Sequence, residues 1–175
     1  MSAIKLSTPS SGSISLSPAD TASNLVITVP AVTGTMNLVG PAFSAYSSTA
    51  TSLPNATFTK ITFDTEEFDT NNNFASSRFT PTVAGYYQVN CNIGISSGTY
   101  KNELALYKNG SPYKYGMYPN SVTSDTAFTS LSSLVYLNGS TDYVEIYCYQ
   151  TSGGSLNTLT SSASNWFNGS LVRGA

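Results

Sequence analysis

The residues best suited to chemistry in this sequence are acidic and lie close together. Asp64, Glu66, Glu67 and Asp69 form its one carboxylate cluster, and Asp69-Thr70-Asn71-Asn72-Asn73 sets oxygen donors at alternate positions. Calcium is held by several carboxylate, amide and backbone oxygens, so Asp64, Asp69, Asn71 and Asn73 are candidate calcium ligands. Phe74 stands where an EF-hand needs glycine, and Thr80 where it needs a bidentate glutamate. The competing reading is a solvated loop. A glycosidase would require two carboxylates facing each other across a cleft, one with a raised pKa, and nothing in the spacing singles out a pair. The chain has no histidine and no Gly-x-Ser-x-Gly elbow, so its many serines lack the usual activating base. Gly153-Gly154 sits in a serine-rich stretch with no lysine after it, unlike a phosphate-cradling loop.

A second group is aromatic. Tyr113, Lys114, Tyr115 and Tyr118 fall between prolines and glycines in Ser111–Asn120, which reads as an exposed loop or hairpin end. Tyrosine offers a flat apolar face and a hydroxyl at low entropic cost, which suits contact with saccharides or protein surfaces. The same rings could instead pack under the loop or between copies of the chain.

Composition narrows the field. In 175 residues there are seven basic and nine acidic side chains, a formal net charge of −2, while Ser, Thr and Asn exceed a third of the chain. Phosphate neutralisation needs clustered Lys and Arg, so no nucleic-acid partner is expected. No apolar run approaches the roughly 18 residues that span a bilayer, and no membrane insertion is expected. The first twenty residues have no continuous apolar segment and no small-residue cleavage site, which argues against a cleaved secretory signal. Cys91 and Cys148 each lie in an apolar alternating run, consistent with free buried thiols.

The elements that must position these residues are strands. Residues 1–40 hold no aromatic residue, whereas 41–175 hold all 12 Tyr, all 8 Phe and the Trp. The first part therefore reads as an attachment arm of short strands (Ser13–Ser17, Leu25–Val29, Thr35–Val39), and the second as a core-building knob. In the knob, Gly85–Ile95 alternates cleanly: Tyr87, Val89, Cys91, Ile93 and Ile95 on one face, Tyr86, Gln88, Asn90 and Asn92 on the other. Tyr143–Tyr149 puts Val144, Ile146 and Cys148 on one face and Tyr143, Glu145, Tyr147 and Tyr149 opposite, too aromatic for plain exposure to water. Thr57–Phe63, Glu103–Tyr107, Ser130–Leu137 and Phe167–Val172 are further strands, with turns at Asn109-Gly110 and Asn138-Gly139. The loop Thr151–Ser164 reads as small, polar and flexible, a second contact region. The expected fold is all-β: an antiparallel jelly-roll sandwich with an extended N-terminal β arm.

From Ala42 onward the motif order resembles the globular-head family of complement subcomponent one-q, a relative of the tumour-necrosis-factor jelly roll. Ala42-Phe43-Ser44-Ala45 is similar to its opening strand, and Ile61-Thr62-Phe63-Asp64 with Phe68-Asp69 to the second strand and following loop. Phe79-Thr80-Pro81 with Ala84-Gly85-Tyr86-Tyr87 resembles the start of its central strand, and Leu106–Gly110 its middle hairpin. Leu137-Asn138-Gly139 with Tyr143-Val144 resembles a later turn, lengthened here by Ser140-Thr141-Asp142, and Phe167–Leu171 the closing strand. The resemblance implies a homotrimer with aromatic faces meeting along its axis, and so casts Tyr143, Tyr147 and Tyr149 as interface residues. Ser13–Leu16, Ala22–Ile27 and Pro30–Thr35 are similar to a segment of tailed-bacteriophage fibre and structural proteins.

Together these imply a non-enzymatic virion protein, made in the bacterial cytoplasm. In this reading it is a short trimeric fibre bound to other virion proteins through residues 1–40. Its knob would contact host surface polysaccharide. A capsid decoration, cement or head-fibre protein is the alternative, and a glycan-degrading enzyme a third. No cofactor is expected beyond the calcium candidate.

Overall fold

A computed structural model describes residues 6–7, 13–14, 40–96, 98–117 and 126–175, the first two pairs by backbone alone. The chain divides into two units, Met1–Gly34 and Thr35–Ala175. In the first, β1 (Leu6–Ser7) pairs antiparallel with β2 (Ser13–Ile14). The strands expected at Leu25–Val29 and Thr35–Val39 lie outside the described residues.

The second unit is built from β3 (Ala42–Tyr46), β4 (Ser52–Leu53), β5 (Thr59–Lys60), β6 (Thr65–Asp69), β7 (Phe74–Ala75) and β8 (Arg78–Phe79). After these come β9 (Ala84–Ile95), β10 (Asn102–Lys108), β11 (Ser111–Tyr115), β12 (Ala127–Asn138), β13 (Val144–Gln150), β14 (Leu156–Asn157) and β15 (Trp166–Gly174). One sheet runs β12-β9-β15-β3-β6, the other β11-β10-β13-β8-β7 with β5 also on β13, and a small ribbon joins β14 to β4. Every pairing is antiparallel. Two antiparallel sheets with chain-distant neighbours make the expected jelly roll.

Strict alternation explains the layering, since side chains two apart share a face. Tyr87, Val89, Cys91, Ile93 and Ile95 of β9 point inward and are buried, as are Leu104 and Leu106 of β10 and Val144, Ile146 and Cys148 of β13. Phenylalanines from both sheets close the core. Phe43 stacks on Phe79 at 4.3 Å and on Phe74 at 4.9 Å, and meets Phe167 edge-on at 4.9 Å. The two cysteines are free and buried.

Several local expectations are refined. The Thr57–Phe63 strand shrinks to β5, and Ile61–Asp64 is not a strand; the pairing resumes at β6. Of the loop or hairpin end expected at Ser111–Asn120, Ser111–Tyr115 is an edge strand, the second arm of the β10–β11 hairpin. At Gly169 β15 runs close to its neighbours, a Cβ there lying 3.0 Å from Gln88 O and from Phe43; the β15–β9 register shift comes later, between Leu171 and Arg173. The Thr151–Ser164 segment is tied down. Asn165 accepts the Gly94 N–H at 2.7 Å and donates to Leu159 O, Thr158 accepts the Thr51 N–H, and β14 pairs with β4.

Candidate functional site

The four calcium candidates do not converge. Asp64 precedes β6 and Asp69 ends it, and five residues of strand separate their backbones by about 16 Å. Asp64 accepts the N–H of Ser48 at 2.6 Å, the N–H of Thr49 at 3.0 Å and the Thr49 hydroxyl. Burial works to raise its carboxyl, but these donors and the Thr65 hydroxyl outweigh it and hold the pKa at about 2. Asp69 accepts the N–H of Phe74 at 2.6 Å and of Asn71 at 3.2 Å. Asn71 Oδ1 accepts the Thr70 hydroxyl and Asn73 Oδ1 the Thr82 N–H. The oxygens of Asp64, Asp69 and Asn73 pin backbone. Among the described residues no three His, Cys, Asp or Glu side chains gather as a metal site.

The outer face of the six-stranded sheet carries Tyr107, Tyr115, Tyr143, Tyr147 and Tyr149. Tyr143, Tyr147 and Tyr149, read from sequence as facing a sister chain, each have a partner in their own chain. The Arg78 guanidinium carbon lies 3.8 Å from the Tyr143 ring centroid, Tyr147 stacks on Tyr107 at 3.9 Å, and Phe58 meets Tyr149 at 5.1 Å. Phe58 also approaches Tyr115 at 5.9 Å and Tyr107 at 6.3 Å. Beneath these rings Ala105, paired with both Tyr115 and Tyr147, is fully buried although it faces outward. Burial raises the Tyr107 and Tyr147 hydroxyls, with Tyr115 adding for the first and the Glu145 charge for the second.

On the hairpin edge, Tyr113 is 41% and Tyr115 56% exposed, and Lys114 Nζ stands 5.3 Å from the Tyr113 ring centroid. These three form the free border of the aromatic face. Tyr118 lies outside the described residues.

Beside the rings is a charged group that spacing did not reveal. Glu145, 3% exposed, takes Lys60 Nζ at 2.6 Å and Arg78 Nε at 3.0 Å on the same carboxylate oxygen. Its partners come from β5 and β8, far away in sequence, so only the alternation that put Glu145 among tyrosines hinted that something must cover it. A buried carboxylate requires such partners.

The outer face of the five-stranded sheet is different. Its middle is an amide and hydroxyl ladder: Ser132 donates to Asn90 Oδ1, Asn90 Nδ2 to Asn168 Oδ1, Gln88 Nε2 to Ser132, and Ser130 to Asn92 Oδ1. One end is apolar and open. Tyr86, Leu134, Tyr136 and Val172 are all exposed there, and with Phe128 and Phe68 elsewhere on the sheet they make up most of the large exposed apolar side chains among the described residues. Tyr86, Leu134 and Val172 line a cleft of about 530 Å³ with the C-terminal Arg173, Gly174 and Ala175. The signal was present in Ser130–Leu137: Leu131, Val135 and Leu137 face the core, while Leu134 and Tyr136 break the apolar-polar alternation and make that end of β12 apolar on both sides.

No protein-family model matches the chain, and no curated protein sequence matches it. Solved structures do. The globular domain of a zebrafish complement 1qA protein matches with TM-score 0.58 and 20% identity, over 77% of this chain and 99% of that one. Eiger TNF from S. frugiperda matches at 0.59 and 9% identity, over 78% and 94%. Murine APRIL matches at 0.57 and 7% identity, over 77% and 100%. At these identities the likeness is one of fold, and the chain therefore carries the jelly roll of the complement 1q globular domain and of the tumour-necrosis-factor ligands.

Proposed function

We propose that the chain is a non-enzymatic, homotrimeric bacteriophage virion protein that uses the two faces of its sandwich for different contacts. The observation that carries this reading is their inequality. One face leaves Tyr86, Leu134, Tyr136 and Val172 open to water around a cleft. Contiguous exposed apolar surface marks a protein contact, so the three-fold contact belongs on the five-stranded sheet rather than on Tyr143, Tyr147 and Tyr149. The other face presents half-buried rings, hydroxyls and a charged pocket, which suits saccharide recognition. The fold of complement 1q and tumour-necrosis-factor proteins supports self-association, and the phage-like segments within residues 1–40 support attachment to other virion proteins through that part of the chain.

Light scattering of the full chain together with cryo-electron microscopy of particles tests the assignment. A trimer at a tail or fibre position, with adsorption to host polysaccharide, is the expected result. Density on the capsid shell would move the protein to a decoration role, and release of saccharide fragments by the purified chain would overturn the non-enzymatic reading.

A further inference from the structure

At the far edge of the six-stranded sheet the β7–β8 hairpin turns on Ser76 and Ser77, with φ of 52° and 57°. A two-residue turn with both residues left-handed is normally given to Asn and Gly. Ser77 sustains it because its buried hydroxyl accepts the Phe63 N–H at 2.8 Å and donates to Phe63 O at 3.2 Å, while Ser76 O accepts Lys60 Nζ at 2.9 Å. Asn72, with φ of 54°, lies on the approach to β7. Beside this turn lies a cavity of about 360 Å³ lined by Asn72, Asn73, Ala75, Ser76, Arg78, Thr80 and Thr82.

Amide, hydroxyl and guanidinium groups share the lining with apolar surface, and an unbalanced positive charge stands beside it in a chain that is neither basic nor densely charged. Lys60 and Arg78 face the single carboxylate of Glu145, so one positive charge is left over. Arg78 gives Glu145 only its Nε. Its terminal amino groups make no hydrogen bond among the described residues, and the ring of Tyr143 beneath holds the guanidinium in place. Asp69, before the cavity-lining Asn72 and Asn73 in sequence, is occupied by the N–H groups of Asn71 and Phe74.

We infer that this cavity is the subsite for a carboxylate-bearing sugar unit, a uronic acid, of the surface glycan; this rests on reading the six-stranded face as the recognition face. A planar guanidinium fork matches a planar carboxylate through two parallel hydrogen bonds. One surplus charge balances a monoanion and leaves a doubly charged phosphate ester half-neutralised. The amides and hydroxyls of Asn72, Ser76, Thr80 and Thr82 suit ring hydroxyls, and the volume is at the small end of ligand cavities, room for one sugar unit.

The test is titration of the full chain with trigalacturonic acid, its carboxyl-reduced counterpart and glucose 6-phosphate, followed by calorimetry and amide chemical shifts. Trigalacturonic acid should bind, weaken with added salt and shift amides of the β7–β8 hairpin. Arg78→Lys should lose about tenfold or more of that affinity. Because Arg78 also touches Glu145, Asn72→Gly serves as the second variant. Glycine accepts the positive φ, so melting should hold while affinity falls several-fold. Absent binding, equal binding of the reduced sugar, stronger binding of the phosphate ester, or undiminished affinity in both variants would each overturn the subsite. Adsorption to host cells separates the two levels: if Arg78→Lys adsorbs like the parent chain, the subsite fails and recognition stands, whereas a parent chain that does not adsorb ends the recognition reading itself.

Discussion

Tyr107 and Tyr147 stack with their ring centroids 3.9 Å apart and their planes 22° from parallel, although neither is the other's cross-strand partner. Tyr107 sits opposite Glu145 and Tyr147 opposite Ala105, so the rings meet on the diagonal, and the small Ala105 leaves the space they fill. A strand face that looked destined for a sister chain is thus largely satisfied inside one.

Replacing Tyr147 by Ala should therefore weaken the fold rather than the assembly. Losing a half-buried ring and its stacking partner costs about 1–3 kcal/mol. The expected outcome is a lower melting temperature with the mass from light scattering unchanged. A fall in mass without a fall in melting temperature would return Tyr147 to the contact between copies.

The complementary change is on the other sheet. Leu134 is 50% exposed beside Tyr86 and Val172. A charge at the centre of a buried contact has no partner and is strongly disfavoured, whereas the same charge on an exposed strand face is nearly neutral. Leu134→Asp should reduce a trimeric mass to that of one chain at micromolar concentration while the strand circular dichroism is retained. An intact trimer would remove the five-stranded face from the assembly.

Alternation made the fold legible and the surface only partly so. β9 and β13 could be divided into inner and outer faces from sequence because every second residue changes character, and the Asn109-Gly110 turn appears with both residues at positive φ. The surroundings of Glu145 were not legible. Lys60 and Arg78 arrive from segments 85 and 67 residues away, and only the β5 and β8 pairings with β13 bring them together. The carboxylates of Asp64 and Asp69 misled for a related reason: proximity in sequence counts for little along a strand, which carries neighbours apart and hands each oxygen to a different backbone. Even the Ser76-Ser77 turn lacked its usual signal, since its conformation is held by Phe63 rather than by the identity of the turn residues.

The two thiols should be silent in the native state. Burial pushes Cys148 up to about 12 and Cys91 higher still, with a hydrogen bond to backbone offsetting each only slightly and Cys148 adding to the shift at Cys91. At pH 8 almost no thiolate is present, and neither sulfur is reachable. A chromogenic disulfide reagent should record no reaction with the folded chain and two equivalents after denaturation. Rapid labelling of the native protein would show that the space between the sheets opens.

Acid should expose the work done by Asp64. Its folded pKa of about 2 lies below the unfolded value of about 3.9, so ionisation favours the folded state wherever the unfolded carboxyl would be charged. That contribution is complete above roughly pH 5 and drains away as pH falls through about 2, where both states are protonated. Asp64→Asn keeps the shape but loses the charge that gathers Ser48, Thr49 and Thr65. The variant should melt below the parent chain at pH 7, and the gap should narrow steadily between about pH 4 and pH 2. A gap of constant size across that window would mean that the donors around Asp64 hold it by geometry alone, and the stabilising role given to its charge would have to be withdrawn.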